Sequence, residues 1–417
     1  MPTIPKKQLE PSFKKNFLWN SVGSTLYALT SLAFLVIVTR INGVDSAGDF
    51  TFAFSFVCLA QAIGTYAGRT YQVTERDDRI CDTDYLYFRV LNCAVMIACA
   101  ILFICSKNYS HAKILILLLL LAYRTLDSMS EAFFGIFQKN CNLFQVGISL
   151  TLRSGITVAA FLLVDIVSHN LILAIVSLLL SDFLIFIFYD IIRLRKYNIT
   201  RRQFRWNNLL ILARGGLPVF LFTLVSQAIP NAPKFAIDDM LSKSEQAYFG
   251  IILMPATLMI LCSQLIVHPC VVKLTHCLQS SRYRDFLRLT VSICAAVFVF
   301  GLLAALICAL VGIPFLNFIY SIDVAAYFTP LMIIIAGSIL HGIGIVISNS
   351  MIAMRKNNVQ LAIYLIASLV AFSSSFALVG KCGIIGAAWG YFIPACATML
   401  LLAICFAVAY RRDYCNP

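Results

Sequence analysis

The chain is expected to fold as an all-α integral membrane protein of about twelve transmembrane helices. Three observations predict this. Of 417 residues, 60% are hydrophobic and only 12% are charged, whereas a soluble domain carries roughly 25% charge. Apolar runs of about 20 residues, the length that crosses a bilayer, recur along the whole chain. Lysine and arginine are also distributed very unevenly among the polar connections, as they are in multi-pass proteins.

The apolar segments fall at roughly 17–40, 50–68, 88–106, 113–136, 146–167, 170–190, 208–230, 247–270, 288–313, 328–353, 359–380 and 384–409. Backbone groups in lipid must be satisfied within their own segment, so these read as helices. The polar, basic stretch from Met1 to Asn16 precedes a run too long for a signal-peptide core, with no small-residue cleavage site before Arg40. It is therefore read as the first permanent helix. With the N-terminus inside, 23 Lys and Arg lie in inside segments and six in outside ones. Both termini are thus expected to be cytoplasmic. No connection exceeds about twenty residues, which leaves no room for a large extracytoplasmic domain.

The sequence looks doubled. Phe13-Lys-Lys-Asn-Phe-Leu opens the first helix and Phe204-Arg-Trp-Asn-Asn-Leu the seventh. Ala47-Gly-Asp-Phe and Gln246-Ala-Tyr-Phe each open the next helix after a short acidic loop, and Gln138-Lys-Asn and Arg355-Lys-Asn each follow the fourth helix of a half. Two halves are expected, 1–198 and 199–417, in the same orientation as in parallel transporter repeats. They are joined by the basic, Trp-containing linker Arg193–Trp206, suited to anionic membrane lipids.

The net charge of +13 follows from the cytoplasmic loops, and no aromatic-interleaved basic module points to nucleic acid. The 15 cysteines are scattered through apolar runs without a C-x-x-C pair, so they read as small hydrophobes rather than as a disulfide or zinc framework. His268 and His341 lack further ligands at helical spacing, and no metal site or cofactor is expected. Neither a phosphate-binding loop nor a nucleophile elbow occurs, which argues against an ATPase or hydrolase. Energy then comes from a gradient, with H+ or Na+ as the expected coupling ion, or from the substrate's own disequilibrium.

Three arginines lie inside apolar helices: Arg124, Arg153 and Arg214. Each costs about 2.5–3.5 kcal/mol at mid-depth if it faces lipid, so such residues turn to the interior or to a wet cavity. Arg124, Asp127, Glu131 and Gln138 share one helical stripe through spacings of three, four and seven. That stripe reads as the wall of a polar cavity, with Arg124 binding an anion and a carboxylate coupling to an ion. The same spacing also fits a pair that only fixes packing. Asn20, Ser24 and Tyr27 on the first helix and Asp182 on the sixth could complete the lining. Arg40 and Arg69 sit at helix ends as anchors, Arg69 following Tyr66-Ala-Gly. Pro218, Pro255 and Pro394 would bend helices of the second half.

The chain resembles the Wzx-type O-antigen and capsular polysaccharide flippases of the multidrug/oligosaccharidyl-lipid/polysaccharide (MOP) exporter superfamily. The resemblance is carried by Asn20-Ser-Val-Gly-Ser, Thr39-Arg-Ile-Asn-Gly with Ala47-Gly-Asp-Phe, Phe315-Leu-Asn-Phe-Ile-Tyr-Ser with Tyr327, and Gly380-Lys-Cys-Gly-Ile-Ile-Gly-Ala-Ala-Trp. It spans the chain as a diffuse pattern. It implies two six-helix lobes around a central cavity, in the bacterial cytoplasmic membrane. The implied substrate is an oligosaccharide repeat unit on polyprenyl pyrophosphate, flipped to the outer leaflet for O-antigen, capsule or exopolysaccharide assembly beside a polymerase and a chain-length regulator. Arg124, Arg153 and Arg214, with Asn20 and Tyr27, would meet pyrophosphate and sugar; Asp127, Glu131 and Asp182 would couple the ion. The alternative is a drug or cation antiporter of the same superfamily, in which carboxylates and aromatics dominate the cavity. A polymerase would need a large outer loop, and the peptidoglycan-precursor flippase resembles a fourteen-helix architecture.

Overall fold

The structure, a computed structural model, describes residues 13–66, 68–74, 80–197, 199 and 203–415. Lys6, Lys7, Arg76, Arg79, Arg201 and Arg202 of the basic segments, and the side chain of His268, lie outside the described residues. The described residues form helices and their connections. In order these are α1 (Phe13–Thr65), α2 (Gly68–Thr74), α3 (Asp82–Cys105), α4 (His111–Lys139), α5 (Leu143–Ser168) and α6 (Leu171–Ile185), which continues as a π-helical turn, Phe186–Ile191, into α7 (Ile192–Leu194). Then follow α8 (Trp206–Met240), α9 (Lys243–Ile252), α10 (Met254–Gln279), α11 (Tyr283–Ile307), α12 (Ile313–Tyr320), α13 (Phe328–Ala353) and α14 (Asn357–Tyr410).

Among the described residues, nine helical stretches are long and apolar enough to cross a membrane, and the protein is a multi-pass membrane protein of all-α class. Two of the nine are double length. α1 has 53 residues and α14 has 54, each interrupted by one glycine outside helical geometry, Gly43 (φ 82°) and Gly383 (φ 58°). At 1.5 Å per residue each is about 80 Å long, more than twice a hydrocarbon core of about 30 Å. Positive φ at these points is open to glycine at little cost. Beyond Gly383 the chain folds back on itself: a Cβ on Gly386 would lie 2.0 Å from the Leu378 carbonyl oxygen, and one on Gly390 would lie 2.7 Å from Ser375 Oγ. α4 has 29 residues, and its charged stripe keeps it out of the nine. The apolar segments expected from sequence fall on these helices, two of them on α1 and two on α14.

The prolines act differently from one another. Pro255 stands at the start of α10, where a missing N–H costs nothing. Pro394 is held within α14, and the Thr398 hydroxyl donates to its carbonyl at 2.6 Å. Pro218 lies within continuous α8.

Two compact units form, Met1–Ile41 with Phe56–Phe220, and Asn42–Ser55 with Leu221–Pro417. Compactness thus divides the chain elsewhere than at 198/199. The reason is α8, which begins after that point and runs unbroken through 220/221, where the compact units divide. Its first half packs in unit 1, where Leu209 and Leu212 join Tyr85 and Phe88, and the Tyr66 hydroxyl donates to the Ala213 carbonyl at 2.9 Å.

In unit 1, small residues let α1 and α5 touch along the backbone. A Cβ on Gly23 would meet the Gly147 carbonyl oxygen at 2.2 Å, and one on Gly147 would meet the Trp19 backbone at 2.2 Å. Asn16 ties the same pair of helices, donating to the Cys141 carbonyl at 2.8 Å and accepting from Phe144 N–H at 2.9 Å. Gly147→Ala is therefore expected to force α1 and α5 apart at a cost of about 1–3 kcal/mol, typical of overpacking. It should lower the melting temperature in detergent, while Gly155→Ala, which meets nothing within 4 Å, should leave it unchanged. In unit 2 the core is apolar, built on Phe286, Val297, Met351, Ala367, Ala371 and Leu402.

The outward faces are greasy. Val167, Leu310, Phe318 and Leu369 are among the most exposed side chains, while Arg153, Asp182 and Asp190 are fully buried. This inversion is what a lipid environment selects.

Within unit 2 the chain doubling becomes visible as contact. Ala47-Gly-Asp-Phe and Gln246-Ala-Tyr-Phe are related by 199 positions, so Asp45 corresponds to Ser244 and Thr51 to Gly250. These corresponding residues touch: Ser244 Oγ donates to Asp45 Oδ1 at 2.5 Å, and a Cβ on Gly250 would lie 2.7 Å from Thr51 Cγ2. Contact between equivalent residues is the mark of a local two-fold relation. Lys243 Nζ reaches Asp49 Oδ2 at 2.6 Å, Lys234 Nζ donates to Ser55 Oγ at 2.8 Å, and a Cβ on Gly48 would overlap the Lys243 carbonyl.

Candidate functional site

The polar interior of unit 1 is assembled from α1, α4, α5, α6 and the π turn after α6. Arg124 lies on α4 with 9% of its side chain accessible. Its Nη1 donates to Asp127 Oδ2 at 3.1 Å and to the Tyr27 hydroxyl at 3.2 Å, and its Nη2 donates to Cys58 Sγ at 3.1 Å. Asp127 Oδ2 also accepts from Gln61 Nε2 at 2.6 Å. The i,i+3 spacing read from sequence therefore does form a pair, and α1 adds two partners from its second half.

Arg153 stands at the centre. Its Nη1 donates to Asp182 Oδ1 at 2.7 Å; its Nη2 donates to Asp190 Oδ2 at 2.9 Å and to Ser130 Oγ at 2.5 Å. Asp127 Oδ1 lies 3.9 Å from Nη1. Asp190 accepts further bonds from Ser149 Oγ at 2.7 Å and Ser130 Oγ at 3.1 Å. Two guanidiniums thus face three carboxylates, so with all three ionised the cluster carries one negative charge more than its arginines neutralise. In low dielectric such an excess is costly, and one further positive charge would relieve it.

Asp190 carries no signal in an α-helical reading. In an unbroken α-helix residue 190 lies about 80° around the axis from residue 182. The π turn Phe186–Ile191 takes one extra residue per turn and brings the two aspartates onto Arg153 together.

The expected site residues therefore separate into groups. The structure gathers Tyr27, Arg124, Asp127, Arg153 and Asp182. It closes Arg153 completely: its side chain has 0% accessibility and both terminal nitrogens are engaged. An anion could meet it only after the cluster had opened, because those ion pairs occupy both terminal nitrogens and only the enclosed Nε is without a partner. Asn20 lies seven residues from Tyr27 on α1, half-buried, with Oδ1 enclosed and without a partner. Arg214 is exposed on α8, whereas the charged side chains of the cluster are buried.

Glu131 turns to other partners. It lies 3.9 Å from Arg69 Nε, and each side chain is 27% accessible. Arg69, a helix-end anchor by its sequence position, is thus drawn into the polar system. Arg89 on α3, buried, donates from Nη1 to the Gly64 carbonyl at 2.8 Å, near the end of α1. Among the described residues no group of three His, Cys, Asp or Glu has a metal-binding arrangement.

No protein-family model matches the chain. A capsular polysaccharide biosynthesis protein, CapF of Staphylococcus aureus, is 23% identical over 380 residues, covering 90% of this chain and 94% of that protein. Among solved structures, the lipid II flippase MurJ in an inward closed conformation aligns with a TM-score of 0.74 at 15% identity, covering 96% of this chain and 90% of MurJ. A multidrug resistance MATE transporter of the MOP superfamily, inward-facing, aligns with a TM-score of 0.72 at 13% identity, covering 95% and 99%. The chain has the fold of the MOP superfamily transporters.

Proposed function

We propose that this protein is a flippase that moves an oligosaccharide repeat unit on polyprenyl diphosphate from the cytoplasmic to the outer leaflet of a bacterial cytoplasmic membrane. It works by alternating exposure of its polar site to the two sides, with both termini cytoplasmic. The observation that carries this reading is the end-to-end similarity to a protein of capsular polysaccharide biosynthesis. The buried charge fits the task. Diphosphate crosses hydrocarbon only where fixed cations replace its water, and guanidinium forks bind its oxygens in pairs. The lipid tail needs no pocket and stays in the bilayer. Coupling to H+ or Na+ is assigned to the carboxylate excess of Asp127, Asp182 and Asp190, and polymerase and chain-length regulator are the expected neighbours in assembly.

Reconstitution tests the reading directly. In proteoliposomes holding a fluorescent lipid-linked oligosaccharide, the protein is expected to bring label from the shielded leaflet to an outside quencher far faster than empty vesicles do. Vesicles that move only an organic cation, and leave the glycolipid shielded, would assign the protein to antiport of drugs instead.

A further inference from the structure

Resting on that reading, we infer that Arg69 and Arg89 form the receiving site for the lipid-linked diphosphate, and that Glu131 is a built-in competitor which holds Arg69 until the diphosphate displaces it.

The site follows from how the chain turns after α1. Tyr66 (φ 49°) and Gly68 (φ 68°) both take left-handed backbone, which separates α1 from α2. α2 docks on α4 through Gln72, whose Nε2 donates to the Ala132 carbonyl at 3.1 Å, and whose amide fits against α4 only because residue 135 is glycine: a Cβ there would lie 2.1 Å from Gln72 Oε1. Docking of Gln72 beside Ala132 sets Arg69 against the neighbouring Glu131. From α3, Arg89 reaches the same turn, its Nη1 donating to the Gly64 carbonyl at 2.8 Å two residues before Tyr66.

Two features distinguish this group from the Arg153 cluster. The first is slack. Arg153 holds its aspartates at 2.7 and 2.9 Å, the range of charge-assisted hydrogen bonds. Arg69 and Glu131 stand at 3.9 Å, a charge contact without a formed bond. Where Arg153 leaves only its Nε over, three residues here leave donors over: Arg69 Nη1, Arg89 Nε and Asn92 Nδ2 are all enclosed and make no hydrogen bond, with Arg89 and Asn92 more than nine-tenths buried. Enclosed donors without acceptors are costly unless something fills them, and three of them, one on α2 and two on α3, ask for an anion with several oxygens. The second feature is sign and access. Two guanidiniums stand with one carboxylate, a local excess of positive charge, and Arg69 and Glu131 each keep 27% of their side chains open. They therefore line a crevice rather than a dry core.

A carboxylate in that place answers the problem of release. Arginines that bind diphosphate tightly would hold it; an adjacent carboxylate that can recapture Arg69 weakens the bound state and returns the site to rest.

The test uses the purified full-length protein and farnesyl diphosphate as probe. Arg69→Ala is expected to weaken binding about tenfold, the loss of one charge-assisted contact. Glu131→Gln should tighten it by several-fold and at the same time slow transport of the labelled glycolipid, a pair of changes that a merely damaged protein would not show. In the Arg69→Ala background the Glu131→Gln gain should vanish. Tightening that survives without Arg69, or no tightening at all, overturns the competitor role while leaving flipping intact. Equal tightening toward inorganic pyrophosphate would overturn the lipid-linked source, and a wild-type protein that flips glycolipid yet binds farnesyl diphosphate no better than farnesol would overturn the site. Failure of glycolipid transport by the wild type bears on the proposed function alone.

Discussion

Arg153→Ala is expected to leave little folded protein in the membrane, rather than a folded protein that cannot transport. Removing the arginine strands Asp182 and Asp190, both with 0% side-chain accessibility. Breaking a buried pair by deleting one partner costs about 3–5 kcal/mol, and here one side chain serves two partners directly and a third at 3.9 Å. Against a total stability of about 5–15 kcal/mol, that loss is severe. Arg153→Lys keeps the charge but not the fork. A single ammonium cannot present the separate Nη1 and Nη2 that reach Asp182 and Asp190, so an intermediate melting temperature is expected. The measurement is monodispersity and thermal unfolding in detergent after matched expression. Wild-type yield and melting for Arg153→Ala, with transport alone abolished, would return Arg153 to the substrate site.

The sequence shows the class and the helices clearly because lipid imposes a coarse rule, about twenty apolar residues at a time. It shows the α4 stripe for the same reason: in a greasy helix, charges at spacings of three and four are conspicuous, and Arg124 and Asp127 do meet. It conceals what depends on local departures from α-geometry. Asp190 falls off the face of Asp182 unless the π turn is known. Gln61 and Cys58 look like stray polar positions until α1 brings them against α4. Arg69 resembles an interfacial anchor because it stands at a helix end, and only the docking of α2 on α4 sets it against Glu131. The compact units are hidden for a related reason: the repeat is written in the sequence, but α8 and the segment 42–55 pack across it.

Asp127 and Glu131 give these local features a common logic. They are four residues apart on α4, about 6 Å along its axis and on one face of it. One belongs to a group with excess negative charge, the other to a group with excess positive charge. A cation at the first and a diphosphate at the second would each favour the other through the short stretch of α4 between them, which is the minimum a coupled carrier needs.

Locking the contact between corresponding repeats should stop transport completely. Alternating exposure requires some contact to form and break in each cycle, and the pairing of 45–51 with 243–250 is suited to that. It is tight enough to seal, since Gly48 and Gly250 allow backbone and methyl approach that any larger side chain would prevent. Its bonds are few and near water, since Lys243 is 50% accessible while Asp49 is 8%, so they yield for little cost. In a background with the other cysteines replaced, the pair Asp45→Cys and Ser244→Cys puts two thiols where oxygens now meet at 2.5 Å, close enough for a disulfide to be tried. Oxidation is expected to abolish glycolipid flipping and a thiol reductant to restore it, while either single cysteine transports throughout. Undiminished flipping by a fully cross-linked protein would mean that this contact stays closed through the cycle and that the moving element lies elsewhere.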